Sequence, residues 1–228
     1  MRGWRRSDVR GVATVVKIVL EAALEAEIVE HLGYPKYGHT GRRPGSNSRN
    51  GTRHKTVATW CGPIDIHVPR DRWGTFQPVT VGKWQRRPAG LDRLVLASAA
   101  KDAPHEETVE LLSRVYRGSV RRELLDAITT TIGMRMQPWH ERALSPSYSA
   151  VLLDRIVLRS RHTEVRSRPI HTVLGVAGDG QQELLGLWIA NGETTAELWS
   201  AIRADLRRRG VGQATQIVGD VAASAPPS

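Results

Sequence analysis

Two aspartates hold the most chemical promise in this chain, Asp154 and Asp220, 66 positions apart. Asp154 interrupts an apolar run, Val151-Leu152-Leu153-Asp154-Arg155-Ile156-Val157-Leu158, and Asp220 closes a shorter one, Thr215-Gln216-Ile217-Val218-Gly219. Carboxylates brought side by side repel unless something neutralises them. A hard divalent cation such as magnesium or manganese is the usual solution, because it takes oxygen ligands of this kind. A carboxylate-held pair of such ions, roughly 3.5–4 Å apart, suits in-line displacement at phosphorus. The plainer alternative is that Asp154 marks a strand end and Asp220 a turn.

The elements between the two aspartates decide whether they can meet. Ile170-His171-Thr172-Val173-Leu174-Gly175-Val176-Ala177 is a second apolar run, and Gly178-Asp179-Gly180 after it reads as a tight hairpin turn. A third run, Leu184-Leu185-Gly186-Leu187-Trp188-Ile189, leads to a change of period. Thr195, Leu198, Trp199, Ile202 and Leu206 then fall on one helical face. Thr194 and Glu197 have capping-box spacing, and Arg207-Arg208-Arg209-Gly210 supplies last-turn cations and a terminating glycine. The order is β-β-β-α-β. A right-handed crossover then sets the fourth strand beside the first, with Asp154 and Asp220 adjacent near the middle of the sheet.

Several segments in this order carry a family resemblance: Leu153-Asp154, Arg168-Pro169-Ile170, Leu185-Gly186-Leu187-Trp188, Glu193, Leu198-Trp199 and Arg209-Gly210-Val211. Upstream the same holds for Leu24-Glu25-Ala26-Glu27, His31-Leu32-Gly33-Tyr34, Ser48-Arg49-Asn50-Gly51-Thr52, Val68-Pro69-Arg70-Asp71-Arg72 and Gln85-Arg86-Arg87. Together they resemble the mutator-type transposases of bacterial insertion sequences, from about Glu21 to Asp220. The resemblance implies a ribonuclease-H-like enzyme of the two-aspartate, one-glutamate class, using Mg2+ (or Mn2+) to cut and rejoin DNA. It makes Asp154 and Asp220 the catalytic residues and metal ligands. Its expected partners are double-stranded DNA, as element terminal repeats and target, and a second copy of the chain in a homo-oligomer. Its expected place is the bacterial cytoplasm, at the nucleoid.

Three departures accompany the likeness. Arg121, Leu124 and Asp126 stand where the family suggests small hydroxyl residues, and Arg155 where it suggests a small one. After Asp220 the text is Val221-Ala222-Ala223-Ser224-Ala225-Pro226-Pro227-Ser228, whereas the family places a glycine and, much later, the third carboxylate. The resulting expectation is a C-terminally truncated, inactive transposase. The alternative from another class is a non-catalytic DNA-binding protein that modulates an intact transposase.

The rest of the chain is read for organisation. Lys and Arg total 33 against 23 Asp and Glu, a net charge of +10 that points to a polyanion. Cys61 is the single cysteine, which excludes internal disulfides and fits a reducing compartment, and no apolar run is long enough to span a membrane. The expected fold class is α+β, a helical and β-hairpin N-terminal DNA-binding region followed by a partial ribonuclease-H-like domain. Residues 1–33 read as an amphipathic helix from Asp8 to Leu32, with Val9, Val12, Val16, Val19 and Ala23 on one side and Glu21, Glu25 and Glu30 on the other. It would pack on its own core or dimerise. Residues 34–56 read as a basic Gly/Asn/Arg-rich arm whose Arg42, Arg43, Arg49, Arg53 and Lys55 would contact DNA. Residues 57–88 read as a β-hairpin turning at Gly62-Pro63, with Trp60 in the core and Arg70, Arg72, Arg86 and Arg87 as further DNA contacts. Residues 89–145 read as helix-turn-helix-like, breaking at Tyr116-Arg117-Gly118-Ser119, with Arg121 and Arg122 opening a recognition helix. Residues 146–220 are the partial catalytic domain and 221–228 a disordered tail.

Overall fold

In a computed structural model the chain is described at residues 10–36, 38, 46–83, 85, 95, 98–101, 103–156, 169–192, 194–212 and 217–219. Among these residues it forms four helices, α1 (Val12–Leu32), α2 (His105–Val115), α3 (Arg122–Glu141) and α4 (Thr195–Arg208), and six strands. The strands are β1 (Arg49–Thr59), β2 (Gly62–Asp71), β3 (Ala150–Ile156), β4 (Ile170–Val176), β5 (Gln182–Ile189) and β6 (Ile217–Gly219). The fold is mixed α+β. Two compact units are present: Met1–Val12, Ala99–Ala103 and Gln137–Ser228 in one, Ala13–Ser98 and Pro104–Met136 in the other.

The first unit holds a four-stranded sheet in the order β5-β4-β3-β6. β3, β4 and β5 form an antiparallel meander, and β6 returns parallel to β3, with Val151 opposite Ile217 and Leu153 opposite Gly219. The hairpin turn at 177–181 closes through Ala177 N to Gln181 O (2.9 Å), and Gly180 there takes φ +80°. α4 starts where the sequence places it. Thr194 and Glu197 form the reciprocal capping box, and Leu198, Trp199, Ile202 and Leu206 pack against Val151, Leu153 and Val173 of the sheet. Fully burying each such side chain stabilises by about 1.5–3 kcal/mol. The outer edge of β5 is met by two short bridges, from Arg10 to Glu183 and from Lys101 to Trp188. Backbone bonds there, such as Leu184 N to Arg10 O (2.9 Å), occupy groups that an open edge would leave to another chain.

Arg209 departs from expectation. Read with Arg207 and Arg208 as a last-turn cation, it is the C-cap of α4 and is 4% exposed. Its guanidinium donates to the carbonyls of Arg142 (3.1 Å) and Leu185 (2.9 Å) and pairs with Asp205, which also takes Lys101 at 2.6 Å. The side chain clamps the end of α4 to β5 and to the segment after α3.

The second unit centres on α1. Val9 of the expected stripe lies outside the described residues, and from Val15 to Ile28 burial extends beyond the stripe: Val15, Val16, Val19, Leu20, Ala22, Ala23, Leu24, Ala26 and Ile28 are all buried. Val12, Val16, Val19 and Ala23 of the expected apolar side are buried, whereas Glu21 and Glu25 are half-buried and Glu30 is exposed, so the buried side is wider than the stripe and an outer side remains. Even Glu27 is inside, 5% exposed, with its carboxylate accepting from Val79 N (2.8 Å), Thr80 N (2.9 Å), the Thr80 hydroxyl and Tyr116 OH (2.7 Å). Burial and the neighbouring Glu27 charge push the Tyr116 phenol far up, so it stays protonated and donates to Glu27.

The arm expected over 34–56 is corrected at its C-terminal end. From Arg49 the chain is strand β1, which pairs with β2 from Arg49–Asp71 to Thr59–Gly62 with an irregularity between Arg49 and Thr52. Ladder hydrogen bonds to β2 supply what the Gly/Asn/Arg composition could not advertise. The turn comprises Trp60 and Cys61 instead of Gly62-Pro63, and Trp60 is half-buried. Among the described residues no helix is long and apolar enough to cross a membrane.

Candidate functional site

β3 puts Asp154 on the face of the sheet opposite the one α4 covers, since Val151 and Leu153 point into the helix-packed core and side chains alternate along a strand. Asp154 lies opposite Thr172 of β4, whose hydroxyl donates to the Asp154 carbonyl (3.3 Å). One carboxylate oxygen, Oδ1, accepts from the Arg155 amide (2.9 Å). The residue is half-buried, while Thr172 and its neighbour His171 are buried. Burial, then the Arg155 charge, lowers the His171 pKa. Beside β3 runs β6, ending at Gly219 opposite Leu153. Asp220 is the next residue in sequence and lies outside the described residues. Among the described residues no group of three or more His, Cys, Asp or Glu could hold a metal.

The basic candidates separate into three groups. Arg42, Arg43, Arg86 and Arg87 lie outside the described residues, as does Glu193. Arg49, Arg121 and Arg122 are engaged. Arg49 forms a two-pronged pair with Glu25 (2.8 and 3.2 Å), Arg121 pairs with Glu30, and Arg122 with Glu106 (2.5 Å) and Asp126 (3.8 Å). Lys55 turns to the Gly82 carbonyl (2.5 Å), and burial, followed by the Arg53 charge, lowers its pKa. Arg53 is half-buried, whereas Arg70 and Arg72 are exposed and make no ion pair among the described residues. The α2–α3 connection also carries acidic lining: Glu106, Glu107 and Glu110 flank Arg122 around a cavity of about 500 Å3. That lining opposes phosphate contact at the start of α3.

Reasoning from sequence missed the residue that shapes the Arg70–Arg72 tip. Asp71 is 3% exposed and gathers Asn47 Nδ2 (2.6 Å), Thr75 N (3.0 Å), the Thr75 hydroxyl (2.6 Å) and Phe76 N (3.1 Å). Burial alone would raise its pKa, but these hydrogen bonds outweigh burial and hold the carboxyl well below its usual range. The Asp-x-x-Gly-Thr spacing after a strand was the available signal.

Comparison with known proteins bears on the whole chain. The profile described as "Transposase, Mutator family" matches residues 6–225. The chain belongs to the Mutator family of transposases. It is 30% identical to the transposase for insertion sequence element IS905 of Lactococcus lactis over 91% of this chain and 52% of that protein. To the transposase for insertion sequence element ISRM3 of Rhizobium meliloti it is 32% identical, over 85% of this chain and 48% of the relative. The transposase for insertion sequence element IS256 in a transposon of Staphylococcus aureus is 25% identical over 90% of this chain. The chain spans about half the length of the curated relatives it matches. Membership in the Mutator family extends over both units, so the hairpin unit and the sheet unit belong to one transposase sequence.

Proposed function

We propose that the chain acts in DNA transposition of an insertion sequence, binding double-stranded DNA and supplying Asp154 and Asp220 as carboxylates for a magnesium or manganese ion. The observation that carries this reading is the strand register: β6 runs parallel to β3 with Gly219 opposite Leu153, and each of those residues directly precedes one of the two aspartates. The topology β5-β4-β3-β6 with α4 as the crossover supports a ribonuclease-H-like arrangement. So do the transposase names of the relatives.

The residues fit a hard cation. Asp154 offers carboxylate oxygen on a sheet face that α4 does not cover, and its backbone pairs with Thr172 of β4 one residue beyond the Leu153–Gly219 pair with β6. A bound ion would supply neutralisation of the two carboxylates and charge stabilisation at a DNA phosphate. The chain's own part is to hold Asp154 on β3 beside the strand β6, whose last residue, Gly219, precedes Asp220 in sequence. The Arg155 amide fixes one Asp154 oxygen and Thr172 ties the same peptide to β4.

The test reads the metal response of DNA affinity. Removing a negative charge raises affinity for DNA by itself, so the informative quantity is the change on adding Mn2+, not affinity alone. Wild type should bind a duplex carrying an element end about tenfold more tightly with Mn2+, a difference of about 1.4 kcal/mol. Asp154→Ala and Asp220→Ala should each bind equally with and without it. An unchanged response in the variants would refute the assignment.

A further inference from the structure

We propose that Trp73 is a base-stacking residue for unpaired DNA, carried on a rigid tip with Arg70 and Arg72 as its phosphate contacts. The inference deepens the DNA-binding reading above and rests on it.

Trp73 is 62% exposed, whereas Trp139, Trp188 and Trp199 are 5–6% exposed. A side chain of this size ordinarily dominates a core, and leaving its ring in water forgoes that burial. The loop that displays it is nevertheless not loose. Trp73 N donates to Asn47 Oδ1 (3.2 Å), Arg72 N to Ser48 O (2.7 Å) and Gly74 N to Asp71 O (3.3 Å). Asp71 then holds Thr75 and Phe76 from inside, and Gly74 turns the chain at φ +69° immediately after the tryptophan. The backbone on both sides of the ring is therefore fixed before any partner arrives, which lowers the ordering cost of binding.

The charges next to Trp73 in sequence select the partner. Arg70 and Arg72 are exposed and make no ion pair among the described residues, unlike Arg49, Arg121 and Arg122. An aromatic face flanked by unengaged cations is the composition of a surface that stacks on nucleobases while tracking the backbone. Bases are available for stacking only where the strand is unpaired or unstacked. A DNA end undergoing cleavage and transfer offers such bases.

The experiment is fluorescence anisotropy with the full chain and a short labelled single-stranded oligodeoxynucleotide, the same strand with abasic sites, and a blunt duplex. Stacking predicts that Trp73→Ala weakens binding to the intact strand about tenfold and that Trp73→Phe retains most of the affinity. On the abasic strand wild type and Trp73→Ala should bind alike. Because the ring is exposed, the melting temperature should not move, which verifies that the variant is folded. Affinity of Trp73→Ala within about twofold of wild type on the intact strand, or an equal loss on the abasic strand, overturns the proposal. Wild type failing to bind any of the three DNAs would overturn the DNA-binding reading itself. Normal DNA binding with a silent Trp73→Ala would sink only the stacking role.

Discussion

Three carboxylates in this chain hold very different positions. Glu27 and Asp71 are buried, and each is surrounded by donors from the segments it fastens together, so both are fully employed within the fold. Asp154 is half-buried on a sheet face away from the α4 core, and it is the one of the three proposed above as a cation ligand. At the same scale His140 gives a pH prediction. Burial, then the positive charges of Lys101 and Arg209, lower its pKa to about 4. The unfolded chain keeps an ordinary value near 6.5, so between about 4 and 6.5 the unfolded state binds the extra proton. The contribution is therefore fully present above about pH 6.5 and is lost as pH falls toward 4. In urea titrations, wild type should lose on the order of 2 kcal/mol more than His140→Gln between pH 7.5 and pH 4.5. Equal losses would show that His140 is not held neutral by its surroundings.

Elements carry the second set of consequences. The approach of β4 to Tyr148 depends on a missing side chain: a Cβ on Gly175 would stand 2.5 Å from the Tyr148 ring, whose hydroxyl donates to Glu183 at 2.9 Å. Gly175→Ala should destabilise the chain by about 1–3 kcal/mol in chemical denaturation, and no change would mean that the ring relocates freely. The three strands and the helix after them were legible because period 2 gives way to period 3.6 at Thr194, where a capping box states the boundary chemically. β1 was not legible from its own residues. Arg49-Asn50-Gly51-Thr52-Arg53 carries no apolar alternation, and the ladder with β2 decides its conformation. α1 and its buried side were visible, but not the width of that side, because the burial of Glu27 depends on donors at Thr80 and Tyr116 distant in sequence. The burial of Arg209 and Asp71 was not legible for a related reason: a charged residue becomes structural only through partners distant in sequence, such as the Leu185 carbonyl and Asn47. Of the candidate site, the strand carrying Asp154 and its neighbour were foreseen, whereas the display of Trp73 required the folded loop.

At the scale of the whole molecule, the proposed DNA chemistry draws on features of both units. The hairpin unit presents the Arg70–Trp73 tip, and the sheet unit presents Asp154 on β3 with β6 alongside. A net charge of +10 favours binding to a polyanion throughout, and its effect should weaken as salt rises. The proposed sharing of one divalent ion by Asp154 and Asp220 is narrower. Paramagnetic Mn2+ titrated into the labelled chain, followed by amide NMR, tests it without turnover or DNA. The account expects the signals of residues 151–155 and 217–219 to broaden first in wild type, and this selective broadening to vanish in both Asp154→Asn and Asp220→Asn. Broadening centred elsewhere, or surviving in either variant, would contradict it.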